Sequence, residues 1–366
     1  MMPKVPKNLS VVLHAGPGLD YYTFQLANSL SAIARVAYSV DAKQMERFGS
    51  AIDRRVTLLP FNRPRRRQLW GFQEMYRLSC DIRNFNLDVF HLQGDGLWES
   101  VLFRLLRETL RINTVHDPIK HIDQRTLLNN ALMYDVIRQS KGWVVHSDGL
   151  KTILLDRFLL SPDRVLVHHH GVDTYYSSFP TKKTLREKTI LFFGNLRINK
   201  GADILLRAFY LIRDQISDWK IIIAGGGKGL EGKEDLIEQL DGQLIFLNHF
   251  IDDNAVGDLF SRSGIVALPY RHGSQSGVLA IAGAFGCPVL ATTVGNMPEI
   301  MQDGKHVLFA EPDNIESFAK KLLVLAQDSE LRVKIGEGLR TLANKEWSWD
   351  VIALKTIGFY ERLLSQ

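Results

Sequence analysis

The chain has 366 residues, 45% hydrophobic and 23% charged, with a formal net charge of +5 and two cysteines. That length exceeds what a single hydrophobic core fills and predicts two domains, and the composition is that of a folded globular protein, not a disordered one. Cys80 and Cys287 have no metal-ligand spacing and cannot build a disulfide framework, so a reducing, cytoplasmic setting is expected, and the longest apolar runs, such as WKIIIAG, are far too short for a membrane helix.

The opening segment, MMPKVPKNLSVVLHAGPG, carries lysines like a signal peptide, but its apolar run is brief and meets a Gly-Pro-Gly loop; it is read as a first strand. Strand-like runs follow at RVAYSV, VTLLP, DVFHL, INTVH, GWVVH and RVLVHH, separated by amphipathic stretches such as YTFQLANSLSAIA and SVLFRLLRETL. Apolar strands alternating with helices predict a parallel sheet covered on both faces, a doubly wound α/β domain. Around SSFPTKKTLREK, residues 177–188, the alternation gives way to a polar, lysine-rich stretch with Pro180. It restarts with TILFFG, WKIIIAG, QLIFL, GIVALP, PVLAT and HVLFA. The expected organisation is a first Rossmann-like domain over 1–180, a second over 181–346, and a last helix over 347–366 returning to the first. Ligands of such sheets bind at the carboxyl ends of the strands, where the strand order reverses, so a cleft between the domains is expected to hold the site.

The positive charge is concentrated in the first 180 residues, most densely in NRPRRRQLW, where Arg63, Arg65, Arg66 and Arg67 precede Trp70. Basic residues beside an aromatic suit an anionic surface, and the alternative is a solvated loop. The expectation taken is peripheral contact with a membrane or an anionic lipid-linked acceptor, with no nucleic acid partner.

After the first strand, HAGPGLDYYTF places Gly16 and Gly18 where the backbone turns tightly before a helix that Asp20 is expected to cap. INTVH runs into VHDPIKHIDQRT, and His116, followed by Asp117 and Pro118, is a candidate donor to a sugar or phosphate oxygen, or a proton shuttle. In LVHHHGVD, His168, His169 and His170 are adjacent; alternate residues of a strand face opposite sides, so they are not read as a metal site. ILFFGNLRINKGADILLRAF is the strongest local signal. Its strand ends at Gly194, Arg197 and Lys200 lie on the next loop, and Gly201 opens a helix, a cationic site for a diphosphate. Neither the dinucleotide pattern GxGxxG nor the P-loop is present there. AGGGKGLEGKED has the wrong spacing for a dinucleotide fold, but it can present backbone to a ligand, and Asn248, His249 and Phe250 follow a strand where a base can stack. The next segment, DDNAVGDLF, is expected to start a helix with acidic caps.

Taken together, FFGNLRINKGADILLRAF, HFIDDNAVGDLFSRSGIVALPY and GCPVLATTVGNMPEIMQDGKHVLF resemble, in order and spacing over about residues 190–345, the retaining GT-B glycosyltransferases of family 4, or group 1. The first half resembles them less strongly, through GPGLDYYTFQLANSL, DVFHLQG, TVHDPIKH and VVHSDGLKTIL. The resemblance implies an acceptor domain followed by a nucleotide-sugar domain, a UDP- or GDP-linked sugar as donor, no metal and no further cofactor. It implies that Arg197 and Lys200 take the diphosphate charge, that His116 lies near the sugar and leaving phosphate, and that Gly16 and Gly18 lie near the diphosphate. Ser276, Gly277 and Val278 would offer backbone amides to the donor, and Glu299, beside Met297 and Pro298, would cap a short helix.

The family's two glutamates, eight positions apart, would fall at Gly273 and Ile281, whose side chains accept no hydrogen bond. The SQSG form resembles a subgroup with a rebuilt loop, in which Ser274, Gln275 and Ser276 supply the polar contacts. Front-face transfer demands held geometry and stabilisation of the departing diphosphate more than a carboxylate. Glu311, after another strand, is a less favoured substitute for the ribose contact. The expected function is therefore a retaining, metal-independent hexosyltransferase acting on a glycan or a polyprenyl-diphosphate-linked acceptor in cell-surface polysaccharide or glycoconjugate synthesis. A non-catalytic GT-B protein that binds a glycan or a partner transferase is the alternative, and an epimerase or phosphorylase of the same fold a weaker one.

Overall fold

The computed structural model describes residues 9–118, 126–181 and 185–366. The first eight residues, part of the loop after His116 and part of the expected linker lie outside them. The chain divides into two compact units, residues 1–171 with 349–366, and residues 172–348. The change of unit at Gly171 comes ahead of the polar stretch around Pro180.

The first unit is built on a seven-stranded parallel sheet, with strands β1 (Ser10–Ala15), β2 (Arg35–Asp41), β3 (Thr57–Phe61), β4 (Val89–Gln93), β5 (Leu110–Thr114), β6 (Gly142–Val145) and β7 (Val165–Val167) in the order β3-β2-β1-β4-β5-β6-β7. The central strands β1 and β4 are buried along their whole length. Helices on both faces of a parallel sheet require this, and it explains why these strands read as apolar runs without alternation. The strand order reverses between β1 and β4, so the carboxyl ends of these two strands form the unit's natural ligand edge.

The last helix, Trp349–Leu364, belongs to this unit. Trp349 meets Tyr22 edge-on at 5.0 Å, Ser29 donates to Asp350 at 2.9 Å, and Arg362 donates to the Asp163 carbonyl at 2.9 Å. Tyr360 is fully buried, and its hydroxyl pairs with Nδ1 of His91. Gly171 is required here, because a Cβ on it would stand 2.3 Å from the Trp349 ring.

The second unit carries a six-stranded parallel sheet, β8 (Glu187–Phe193), β9 (Lys220–Ala224), β10 (Leu244–Leu247), β11 (Ser263–Leu268), β12 (Val289–Thr292) and β13 (Leu308–Ala310), ordered β10-β9-β8-β11-β12-β13. Its reversal lies between β8 and β11. The helix Ala202–Ile212 buries Ile204, Leu205, Leu206 and Phe209 against Ile190, Phe192, Ile221 and Ile223. At about 1.5–3 kcal/mol for each fully buried large aliphatic or aromatic side chain, this packing holds the start of the helix beside the end of β8.

The local expectations at Asp20 and Glu299 are corrected, and that at Asp252 holds. Asp20 does not cap its helix: the cap position is Leu19, and Asp20 is buried and accepts from the Tyr38 hydroxyl at 2.9 Å. The helix Asp253–Arg262 starts as expected, with Asp252 at its cap position and Asp253 in its first turn, where Asp253 also accepts from Tyr175 at 3.0 Å. Glu299 is the third residue of the helix Met297–Ile300, whose cap position is Asn296.

Burial favours the neutral form of the first unit's inward-facing histidines. It lowers His91 to about 3 and His168 to about 4, and it lowers His146 well below its ordinary value, with neighbouring histidines adding to the effect. Below pH 6.5 the unfolded chain takes up protons that these buried rings refuse, so stability falls as the pH drops from 6.5 towards 4. Asp20, raised by burial, works in the opposite sense, but burial lowers His14 and His170 of the same unit as well. Denaturant unfolding of the full chain should show the first unit losing stability steadily across that interval; a flat profile would contradict the neutral histidines.

Candidate functional site

In the second unit the loops after β8, β9 and β11 approach one another backbone to backbone. A Cβ on Gly201 would stand 1.9 Å from the Pro269 carbonyl oxygen, and one on Gly225 2.0 Å from that of Gly194. Both glycines, like Gly194, have positive φ, at +69°, +141° and +109° respectively. Only glycine tolerates both the crowding and the conformation.

These contacts place Lys200 against β11. Its ammonium lies 3.9 Å from the centroid of Tyr270, whose hydroxyl pairs with Ser276 Oγ at 3.1 Å and whose carbonyl accepts from Thr292 at 2.6 Å. Tyr270 is 2% exposed, so its ring is a fixed platform under a half-buried cation. Arg271 fastens the loop from behind: it grips both oxygens of Asp203 at 2.8 and 2.9 Å, donates to Asp313 and to the Ile198 carbonyl at 2.8 Å, and through its own backbone N–H meets the Asn199 carbonyl at 2.9 Å. Burial pushes the Asp203 carboxyl up, but the Arg271 guanidinium more than offsets this and holds it below its ordinary value. Arg197 is exposed on the same loop.

Ser276 caps the helix Gly277–Phe285, accepting from the Leu279 N–H at 3.3 Å. This leaves the N–H groups of Gly277 and Val278 at the helix start without intrahelical acceptors. The Val278 side chain lies 3.6 Å from a Cβ built on Gly194, which joins this helix start to the end of β8. The Ser274 carbonyl accepts from Asn296 at 3.1 Å, whereas the Oε1 of Gln275 is buried without a partner among the described residues. At the far end of the helix Arg186 donates to the carbonyls of Phe285 and Gly286 at 2.6 and 3.0 Å, and Arg340 to that of Phe285 at 2.8 Å.

The loops after β9 and β10 meet as well. Asn248 Oδ1 accepts from Gly227 N–H at 3.1 Å, a Cβ on Gly226 would touch the His249 backbone at 3.6 Å, and Phe250 is 66% exposed. His249 Nδ1 turns to the Phe250 carbonyl at 2.8 Å. Glu311 lies exposed and accepts from Asn314 at 2.7 Å, a local contact at the cap of the next helix. Gly194, Arg197, Lys200, Asn248, His249, Phe250 and Ser274 to Val278 thus share the carboxyl edge of one sheet.

Gly16, Gly18 and His116 lie at the carboxyl edge of the first unit's sheet. Gly16 donates to the Gln93 carbonyl at 2.7 Å, where a Cβ would clash, and Gly18 has φ +79°. His116 Nε2 faces Gln93 Oε1 at 3.3 Å, and its Nδ1 pairs with His146 Nε2 at 3.0 Å. His146 Nδ1 in turn faces the His168 carbonyl at 3.1 Å, and Tyr22 packs edge-on against His116 at 5.1 Å. Strand β7 ends at Val167, and the rings of His168 and His170, alternate residues, lie 5.6 and 5.9 Å from that of His146.

The basic run is not uniform, and Arg63 is corrected. Its side chain is only 18% exposed, donating to Glu99 at 2.8 Å and to the Ala15 carbonyl at 2.7 Å, with Asp41 at 3.7 Å. Burial raises Glu99, but His14 and Arg63 more than offset this and keep its carboxyl below the ordinary value. Arg63 is therefore an internal counter-ion. Arg65 and Arg67 are exposed, and Arg66 donates to Asn129 at 2.7 Å.

Sequence reasoning missed Tyr270, Arg271, Gln93 and His146. Tyr270 and Arg271 immediately follow a strand, in LPYRHG, and that position was the available signal.

Residues 187–328 match the family described as Glycosyl transferases group 1, and residues 18–176 that described as Glycosyltransferase Family 4. The chain belongs to these family 4, group 1 glycosyltransferases. Among curated relatives, an uncharacterised glycosyltransferase of Methanocaldococcus jannaschii is 28% identical over 63% of this chain and 63% of its own length. A D-inositol 3-phosphate glycosyltransferase of Corynebacterium aurimucosum is 25% identical over 74% of this chain and 68% of its own. The chain thus spans about two thirds of the length of these relatives. The fold is that of GT-B enzymes: Anabaena Alr3699/HepE, solved in complex with UDP and glucose, superposes with a TM-score of 0.72 over 97% of this chain and 100% of its own at 14% identity.

Replacing Gly201 with alanine should lower the melting temperature of the second unit, since the change adds backbone strain of about 1–3 kcal/mol to the overlap with Pro269. An unchanged melting temperature would mean that the two loops do not approach as described.

Proposed function

We propose that the chain moves a hexosyl group from a UDP- or GDP-linked donor to a glycan or a lipid-linked saccharide, with retention of anomeric configuration and without a metal, in cell-surface polysaccharide or glycoconjugate synthesis. The observation that carries this reading is the Lys200 ammonium seated on Tyr270, beside the capped start of the helix Gly277–Phe285. A cation and free helix N–H groups together suit a departing diphosphate, and Arg197 on the same loop adds a second cation. The Anabaena protein of the same fold is held with UDP and glucose, which supports a nucleotide-sugar donor.

In this mechanism the glycosidic bond to the diphosphate breaks while the acceptor hydroxyl attacks from the same face. The leaving phosphate oxygen takes the acceptor proton, and the charge that develops on it is met by Lys200, Arg197 and the amides of Gly277 and Val278. Ser274, Gln275 and Ser276 supply the polar contacts that the family's glutamates would make; the buried, unpaired Oε1 of Gln275 supports this assignment. Gly16 and Gly18 would let the backbone approach the diphosphate. His116, oriented by Gln93 and His146, would lie near the sugar. Asn248, His249 and Phe250 would receive the base.

Calorimetry with UDP and GDP in EDTA, followed by turnover with their sugar conjugates, tests the reading. Lys200→Ala should reduce kcat/KM by about a hundredfold, as loss of one preorganised donor at a developing oxyanion does. Tyr270→Phe should stay near the parent, and Tyr270→Leu should fall about 3- to 30-fold with loss of the cation–π contact. Binding of neither nucleotide, or equal turnover by Lys200→Ala, would overturn the assignment.

A peripheral position at the inner face of a membrane is part of the same proposal. No helix among the described residues is long and apolar enough to cross a membrane. Beside the exposed Arg65, Arg66 and Arg67 lie Leu69, Trp70 and Phe72, which are 82%, 44% and 54% exposed. Cations beside exposed apolar side chains suit an anionic lipid surface. Reversing the charge of the three arginines should abolish co-sedimentation with anionic vesicles; undiminished sedimentation would return them to the role of a solvated loop.

A further inference from the structure

The second unit contains a cavity of about 540 Å³ at the amino ends of β8, β11 and β12, lined by Arg186, Arg332 and Arg340 together with Trp219, Pro288 and Val333, among others. Its size lies in the range of small-molecule sites. It stands at the edge of the sheet opposite Gly194, Lys200 and the start of the helix Gly277–Phe285, and so apart from the residues assigned to the donor. We infer that this cavity binds a small anion carried on an apolar body, a carboxylate or phosphate monoester with an aliphatic chain, the anion on Arg332 and Arg340 and the chain against Pro288 and Val333. The inference goes beyond the transferase reading and does not depend on it.

The three guanidiniums are held by backbone carbonyls, and none of them has a carboxylate partner among the described residues. Arg186 is largely spent, donating to the carbonyls of Phe260 and Ser263 at 3.0 and 2.8 Å as well as to those of Phe285 and Gly286. Arg340 gives only Nη2, to the Phe285 carbonyl at 2.8 Å, and Arg332 only Nη1, to the carbonyls of Leu325 and Ala326 at 2.5 and 2.8 Å. The other nitrogens of these two groups are left to donate, from side chains that the backbone already orients. Gly286 makes room for one of them, since a Cβ there would stand 2.7 Å from Arg340 Nε, and the other lies over Trp219, 5.2 Å from the ring centroid. The remaining charges do not cancel them. Lys188 pairs with Asp218, Glu187 pairs with Arg262 at 3.3 Å, and Asp328 accepts from the Leu331 N–H at 2.8 Å as the cap of the helix Ser329–Glu346, acting on Arg332 only at longer range. Glu337 is the one lining carboxylate without an ion pair among the described residues, and three guanidiniums outweigh it.

What the lining lacks decides the body of the ligand. It has no side-chain amide, phenol or imidazole, and Ser329 is its one hydroxyl. A sugar ring or a nucleobase would give up hydrogen bonds to water here without recovering them. Trp219, Pro288 and Val333 offer carbon instead, and Val333 is 59% exposed, an apolar side chain at the mouth of the cavity. Cations with donors to spare above an apolar wall form a surface for a charged head on a hydrocarbon chain.

The test titrates the full-length protein by calorimetry with octanoate, octyl phosphate, octanol and inorganic phosphate, and with UDP as an independent readout. An octyl anion should bind at least about tenfold more tightly than octanol, which lacks the charge, and than inorganic phosphate, which lacks the chain. Preference for octanoate or for octyl phosphate then names the head group. Arg332→Gln and Arg340→Gln should each lose about tenfold of that affinity. Both arginines also hold backbone carbonyls, so two exposed positions decide the matter if those variants do not fold: Val333→Glu should weaken the octyl anion by about tenfold, and Glu337→Gln should tighten it about threefold. Octanol or inorganic phosphate binding as tightly as the octyl anions, no binding of either octyl anion, or indifference to Val333→Glu would overturn the inference. Failure of the octyl series with normal UDP binding removes this site alone, and failure of UDP with the octyl series intact removes the donor assignment alone.

Discussion

The carbonyl of Pro269 lies 1.9 Å from where a Cβ on residue 201 would stand, and that of Gly194 lies 2.0 Å from where one on residue 225 would. Two loops after strands cannot come so close with ordinary side chains between them, and the placement of Lys200 depends on their doing so. The approach brings Lys200 to rest on Tyr270, and the Tyr270 hydroxyl meets the serine that caps the helix Gly277–Phe285. Arg271 then fixes the assembled loop with a bidentate grip on Asp203. Among the described residues Lys200 has no ion-pair partner, and a cation held on an aromatic face keeps its charge available. A salt bridge at the same place would have neutralised it.

The first unit follows a contrasting rule. Its central charges are paired, Arg63 with Glu99 and Asp41, and His14, which burial disfavours as a cation, lies 3.9 Å from Glu99. Removing one member of such a group would strand the others, which makes the cluster a fixed floor for whatever lies above it. The histidines around His116 are held neutral by burial and ordered by Gln93 and by one another. A ring in that setting is a positioned hydrogen-bonding group before it is a charge.

Much of the fold was legible in the sequence because a parallel sheet covered on both faces leaves runs of apolar residues, and every strand expected from such a run is present. The Lys200 loop was legible for a related reason: Gly194 and Gly201 punctuate the exit from a strand and the start of a helix. Arg63 was misjudged because four arginines close together look alike in sequence, and only the fold turns one of them inward onto Glu99. Asp20 and Glu299 were misjudged because an acidic residue near a helix start resembles a cap, while which residue has the cap conformation is settled by the preceding turn. Tyr270 and Arg271 act through partners far along the chain, Lys200 and Ser276 for one and Asp203 and Asp313 for the other. No local pattern encodes such pairings.

The helix Gly277–Phe285 is secured at the end away from its capped start, where Arg186 and Arg340 hold the carbonyls of Phe285 and Gly286. Guanidinium groups at a helix carboxyl terminus stabilise it through its dipole as well as through the bonds themselves. The residues just ahead of the helix, Gly273 to Gln275, therefore do not have to keep the helix folded as well as meet a ligand. The anchoring arginines stand at one end of the element, and the other end can be rewritten without unfolding the rest. A loop that carries serine and glutamine, with no carboxylate, is one such an arrangement can absorb.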